Sequence, residues 1–209
     1  MRHTGKWAMI CLYGVICLIL SFFITSQATA QNKVVVVPLM GDKTTAPAPV
    51  EKTGHTNSIA TGDDGDLQKG VVWPNPRFNE NGNGTATDNL TGLIWLKNAN
   101  CFGQMIWSDA VSACNDLTAG YCGLTDGSSA GDWRLPNVKE LQSLLDFGNA
   151  GPALPDGHPF SSLRSAFYWS STVVAGLTYL AWVVSPTYGH VDDEYRSNNA
   201  YTWPVRGGN

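Results

Sequence analysis

The sequence predicts an α+β fold with two helices and antiparallel strands. Apolar residues recur with helical period in the middle of the chain, over residues 107–118 and again from Val138 to Leu145. Runs of aromatic and β-branched residues flank that region, at Leu93-Ile94-Trp95-Leu96 before it and between Phe167 and Arg206 after it. Short turns rich in Asn and Gly join neighbouring runs, which suits antiparallel pairing. Strands at both ends with helices between them bring the C-terminal strand back toward the N-terminal one.

The chain opens on Arg2, His3 and Lys6, an apolar run from Trp7 to Ile24, and Ala28-Thr29-Ala30 before Gln31. That is the order of a secretory signal peptide over residues 1–30, cleaved after Ala30. An uncleaved anchor is the alternative, because the run is long enough to span a bilayer; cleavage leaves no membrane segment. Cys11 and Cys17 lie inside the run without the small-residue motif of a lipid anchor. Cleavage removes Arg2 and Lys6 and no acid, taking the formal charge from −4 to −6. A mildly acidic mature chain weighs against nucleic acid, or any polyanion held by bulk charge, as partner. The expected location is secreted, periplasmic or on the cell surface.

Residues 31–52 form a stem in which Val34-Val35-Val36-Val37 precedes a Thr/Ala/Pro segment. Such a run pairs with a copy of itself, giving a homo-oligomer, or stays without a partner. Residues 53–209 are the domain, and residues 53–70, with Gly62-Asp63-Asp64-Gly65-Asp66, are its polar lead-in. Seven of the eight tryptophans fall within it and supply apolar area to a loop-rich chain.

Within the domain, Arg77-Phe78 and Thr85-Ala86-Thr87-Asp88 flank Asn79-Glu80-Asn81-Gly82-Asn83-Gly84 and read as a hairpin, since Asn and Gly tolerate positive φ. Asn79, Asn81 and Asn83 also match the first half of a calcium loop, with Asp88 the nearby carboxylate. Leu90 stands where such a loop needs its bidentate Glu. No cofactor other than calcium is suggested. Trp107, Ala110, Val111, Cys114 and Leu117 mark the first helix, with Cys101 and Cys122 in the loops on either side. Under oxidising conditions a Cys101–Cys122 bridge would contribute about 3 kcal/mol by restricting the unfolded chain; Cys114–Cys122 is the alternative pairing.

Trp133 and Leu135 bracket Arg134 as in a short strand, Pro136 stops it, and Asn137 followed by Glu140 reads as a capping box. The second helix then runs to Gly148, placed as its left-handed end. Strands follow at 167–172, 179–184, 189–191 and 201–206, with Ser185-Pro186-Thr187-Tyr188-Gly189 as a hairpin connection.

Between the last strands lies a polar cluster: Tyr188, His190, Asp192, Asp193, Glu194, Tyr195, Arg196, Asn198 and Asn199, with Trp182 on the strand before. Aromatic faces beside amides and carboxylates are the residue types of a carbohydrate or peptide site, and loops on a rigid scaffold are where such sites sit. The bland counterpart is a solvated acidic loop.

Asp88-Asn89-Leu90-Thr91-Gly92-Leu93-Ile94-Trp95, Asp132-Trp133-Arg134-Leu135-Pro136 with Glu140-Leu141, Tyr168-Trp169-Ser170-Ser171-Thr172 and Val205-Arg206-Gly207-Gly208, in that order, resemble the Lcl C-terminal domain family. The resemblance implies a C-type-lectin-like fold, distantly shared with formylglycine-generating enzymes. It also implies a binding role at a cell surface, since the collagen-like adhesin that gives the family its name recognises sulfated glycosaminoglycans and trimerises. This chain has no collagen-like tract, and from residue 71 it carries seven basic against twelve acidic residues. Bulk charge therefore does not support a sulfated ligand. No cysteine follows Cys122, and no Gly-x-Ser-x-Gly, His-Glu-x-x-His or paired Cys-x-x-Cys motif occurs. A non-enzymatic binding module for a carbohydrate or protein is expected; the alternatives are an assembly domain lacking a small ligand and, behind it, an enzyme related to formylglycine-generating enzymes.

Overall fold

Two antiparallel-rich sheets and three short helices make up the computed structural model, which describes residues 50–207. The signal segment, the stem up to residue 49 with its valine run, and residues 208–209 lie outside the described residues. The first sheet contains β1 (Phe78–Glu80), β2 (Thr85–Asp88), β3 (Ile94–Leu96) and β9 (Val205–Arg206), in that order. The second contains β4 (Gln104–Met105), β8 (Ala200–Tyr201), β5 (Tyr168–Val174), β6 (Leu177–Ser185) and β7 (His190–Tyr195), in that order. Between them in sequence come α2 (Trp107–Asn115) and α3 (Val138–Gln142), after a one-turn α1 (Asp64–Leu67). The fold is α+β, and the C-terminal strand returns to the N-terminal part, as β9 pairs with β3.

Tryptophans fill the core. Trp95, Trp133 and Trp203 are buried with Tyr168, Leu144 and Val205 in a larger cluster; a smaller one holds Trp169, Val183, Ala181, Leu135 and Cys114. Tyr168 and Trp169 are adjacent on β5 and enter different clusters because strand side chains alternate. The centre of the second sheet, at β8, β5 and the later part of β6, is thus covered on both faces. The Trp95 ring meets Trp203 edge-on at 5.5 Å, and the Trp203 indole N–H donates to Leu96 O at 2.7 Å. Cys101 and Cys122 are bridged, and Cys114 is a buried free thiol that burial pushes up and keeps protonated.

The junction at Arg134 ties these parts together. Asn137 Oδ1 accepts the Glu140 amide at 2.9 Å and Glu140 Oε2 accepts the Asn137 amide at 2.8 Å, completing the capping box. Both guanidinium ends of Arg134 donate to Glu140 at 2.7 Å, and Nη2 also reaches Gly207 O at 2.9 Å. Burial alone would raise the Glu140 carboxyl, but Arg134 and the Asn137 amide hold it below its ordinary value. Asn137→Ala removes the cap, and a loss of about 1 kcal/mol in urea unfolding is expected.

Several boundaries differ from the sequence reading. Arg134 makes a single bridge to Val205 rather than a strand. The second helix ends at Gln142, where the Ser143 hydroxyl donates to the Glu140 carbonyl at 2.8 Å, the Leu144 and Leu145 amides turn to Leu141 O and Gln142 O, and both leucines are buried. Gly148 is therefore no helix end; a Cβ there would lie 2.6 Å from Gly54 O. The first helix stops at Asn115, not residue 118. The stretch 201–206 splits between the two sheets, with buried Trp203 and Pro204 between β8 and β9.

The polar lead-in is stitched to the domain and contains α1, which the sequence reading lacked. Val71 donates to Val50 O and Phe147 to Thr53 O, each at 2.8 Å. The Asp63 carboxylate accepts the amides of Ala60, Ile59 and Asp66, which lower its pKa from the ordinary 3.8 to about 2. A carboxyl depressed in the folded state contributes stability above its unfolded value and loses it as pH falls through the folded one. Melting between pH 4 and 2 should accordingly show a loss of stability that Asp63→Asn makes shallower.

Candidate functional site

β7 divides by parity the five predicted ligand residues that it carries. Its register on β6 pairs Asp193 with Trp182 and Tyr195 with Leu180, so Trp182, Asp193 and Tyr195 share one face. His190, Asp192 and Glu194 lie on the other, with Ser185 opposite His190. A groove of about 480 Å³ opens there, bounded by Gln104, Phe167, Ser185, Tyr188, His190, Glu194, Asn199 and Ala200. It brings together Tyr188, His190, Glu194 and Asn199 from the predicted set and adds Gln104 and Phe167.

Local chemistry explains the arrangement. The β6–β7 turn closes with the Gly189 amide on Ser185 O at 3.0 Å. Gly189 has φ of 73°, which favours glycine there, and Tyr188 beside it is 68% exposed, its ring 5.8 Å from His190. Glu194 Oε1 accepts the Asn198 side-chain amide at 2.9 Å and the Tyr195 backbone amide at 2.8 Å. No Lys or Arg borders the groove. Among the described residues, Asp192, Asp193 and Glu194 form no ion pair.

The remaining predicted residues do other things. Arg196 lies over the Trp107 ring at 4.0 Å and donates to Thr178 O at 2.8 Å, so its charge braces α2 against the β5–β6 end. Tyr195 stacks on Tyr179 at 5.9 Å. Trp182 is half-buried, and Asp192 lies beside the groove without lining it. The strand read over 189–191 runs on to Tyr195, which is why alternation rather than proximity in sequence selects the groove residues.

The half calcium loop is corrected. Asp88 is fully buried and accepts Arg77 Nε at 2.8 Å, Arg77 Nη2 at 3.0 Å, the Leu90 amide at 2.9 Å and the Thr91 hydroxyl at 2.9 Å. Asn79 donates to Asn89, Asn81 to Thr85 and Thr87, and Asn83 accepts from Thr85. These side chains close the hairpin on one another instead of converging on an ion. Among the described residues no three His, Cys, Asp or Glu side chains gather to hold a metal. A hollow of about 550 Å³ between the lead-in and α3, walled by Val50, Lys52, Leu145 and Phe147, contains none of the predicted residues. Burial raises the Glu51 carboxyl at its edge.

The model of the Lcl C-terminal domain matches residues 84–206, more than half of the chain. The chain belongs to the Lcl C-terminal domain family. No curated protein matches it. The span of the Lcl C-terminal domain begins at Gly84, the residue before β2, and ends in β9, so it holds the disulfide, α2, α3, the Arg134 junction and every groove residue. β1, Arg77 and the lead-in precede it. Gly84 itself is tightly constrained, with φ of 85° and only 2.5 Å from a would-be Cβ to Gly123 O.

Proposed function

We propose that this Lcl C-terminal domain is an exported, non-enzymatic, adhesin-like binding module, at the cell surface or in the periplasm, with a C-type-lectin-like fold. It holds a carbohydrate or protein ligand in the groove beside β7. The observation that carries the reading is the meeting of exposed Tyr188, His190, Asn199 and Gln104 with partly buried Glu194 and Phe167 around one open cavity. An aromatic face for stacking beside amide and carboxylate hydrogen-bonders is the equipment of such a site. The signal pattern and the Cys101–Cys122 bridge support export. The absence of a cysteine after Cys122, with Cys114 buried, supports the non-enzymatic reading against formylglycine-type chemistry. Among the described residues no helix is long and apolar enough to cross a membrane.

A glycan and peptide array probed with the mature protein, with and without calcium and at two salt concentrations, tests the proposal. A cationic ligand loses signal with salt, and a neutral sugar responds to neither salt nor chelator. In either case Tyr188→Ala with Asn199→Ala should weaken binding at least tenfold in a protein that melts like wild type. Ligands whose affinity ignores that pair would place the site elsewhere.

A further inference from the structure

β7 is an outer strand, hydrogen-bonded to β6 on one side and to no strand on the other among the described residues. The Arg196 amide donates to Tyr179 O on β6. By the alternation of an antiparallel ladder, amides of even-numbered residues face β6 and those of Val191, Asp193 and Tyr195 face outward. Two of these outward amides are already occupied. Asp193 donates to the Asp192 carboxylate, and Tyr195 to the Glu194 carboxylate, each at 2.8 Å. The edge is capped by its own side chains, which blocks a neutral or apolar strand, and a second acidic β7 would be repelled.

The caps are carboxylates, and neither has a basic partner among the described residues. A strand bringing Lys or Arg opposite Asp192 and Glu194 offers each a charge-assisted hydrogen bond, stronger than the one to the amide. Swinging to that partner, the carboxylates release the amides of residues 193 and 195 to the carbonyls of the incoming strand. Relative to an added antiparallel strand, residues 192 and 194 occupy non-hydrogen-bonded positions, where facing side chains approach most closely. Both lie on the face that carries the groove.

We infer that β7 accepts an extended segment of a protein partner as a sixth strand, selected for Lys or Arg at every second residue. Its basic side chains lie about 6.8 Å apart on the groove face. The inference rests on the reading of this face as a binding surface and adds the class of partner and its register. Selection is by both attraction and rejection, since a strand without the charges leaves the caps in place.

The test uses a fluorescent decapeptide of alternating Lys and Thr, its Glu/Thr counterpart, and two forms of the Lys/Thr peptide N-methylated at every Thr or at every Lys. Anisotropy is read on the full mature chain. With Lys opposite Asp192 and Glu194, the Thr amides face β7 and the Lys amides face solvent. Methylation at Thr should cost at least tenfold in affinity, and methylation at Lys should cost little. The Glu/Thr peptide should not bind. Asp192→Asn with Glu194→Gln should weaken the Lys/Thr peptide at least tenfold while melting is unchanged. Equal affinities for the two methylated peptides would show charge attraction without strand pairing and overturn the inference. A Lys/Thr peptide that fails to bind, while an array ligand is still lost with Tyr188→Ala and Asn199→Ala, also overturns it and leaves the groove standing. If no ligand of any class depends on those residues, both readings fail.

Discussion

Trp133→Ala is expected to lower the unfolding free energy by about 3–5 kcal/mol, the range for removing a buried large aromatic side chain. Trp133 is fully buried among the other core tryptophans, and the Arg206 guanidinium lies 5.2 Å over its ring while also contacting Asp126 at 3.1 Å. The residue after it, Arg134, binds α3 and β9 at once. A cavity at Trp133 thus loosens the point where the helix start, the last strand and the larger core meet. Urea unfolding followed by tryptophan fluorescence and by far-ultraviolet circular dichroism measures the loss. A variant with wild-type stability would mean that the domain is not organised around this junction.

Asp88→Ala is expected to cost a similar amount, about 3–5 kcal/mol, for a different reason. Removing one member of a buried ion pair leaves the other charged and unpartnered in a low-dielectric setting. Arg77 is 7% exposed and Asp88 fully buried, and Arg77 would retain the Ser143 carbonyl, the Trp73 and Phe78 rings at 4.9 and 5.1 Å, and a single carboxylate, that of Glu51, 4.0 Å away. The Leu90 amide and Thr91 hydroxyl would also lose their acceptor. Replacing both partners, Arg77→Met with Asp88→Leu, should recover part of the loss, because no uncompensated charge then remains. Thermal melts of the single and double variants decide the matter; a double variant no better than Asp88→Ala alone would contradict it.

What was legible in the sequence was local. The capping box at Asn137 and Glu140 needs only residues three apart, and the Asn/Gly hairpin and the β6–β7 turn carry their own backbone chemistry. Most features fixed by distant partners were not, the Cys101–Cys122 bridge and the return of the C-terminal strand excepted. Arg77, far back in the chain, takes the Ser143 carbonyl just past the end of α3. Asp88 read as an exposed ligand for calcium because nothing nearby announces Arg77 as its buried partner. β7 read as a strand only as far as Val191 because Asp192-Asp193-Glu194-Tyr195 lies at a sheet edge with most side chains in solvent, so no apolar period marks it. Gln104 and Phe167 enter the groove through the pairing of β4 with β8 and of β8 with β5, a tertiary fact with no local signal.

The measurement that bears most directly on the functional claim is amide hydrogen exchange on the mature protein, with and without the array ligand of highest affinity. Slowed exchange at residues 185–199, together with Gln104 and Phe167, is the predicted footprint. Protection confined to the hollow around Val50, Leu145 and Phe147, with residues 185–199 unchanged, would contradict the account.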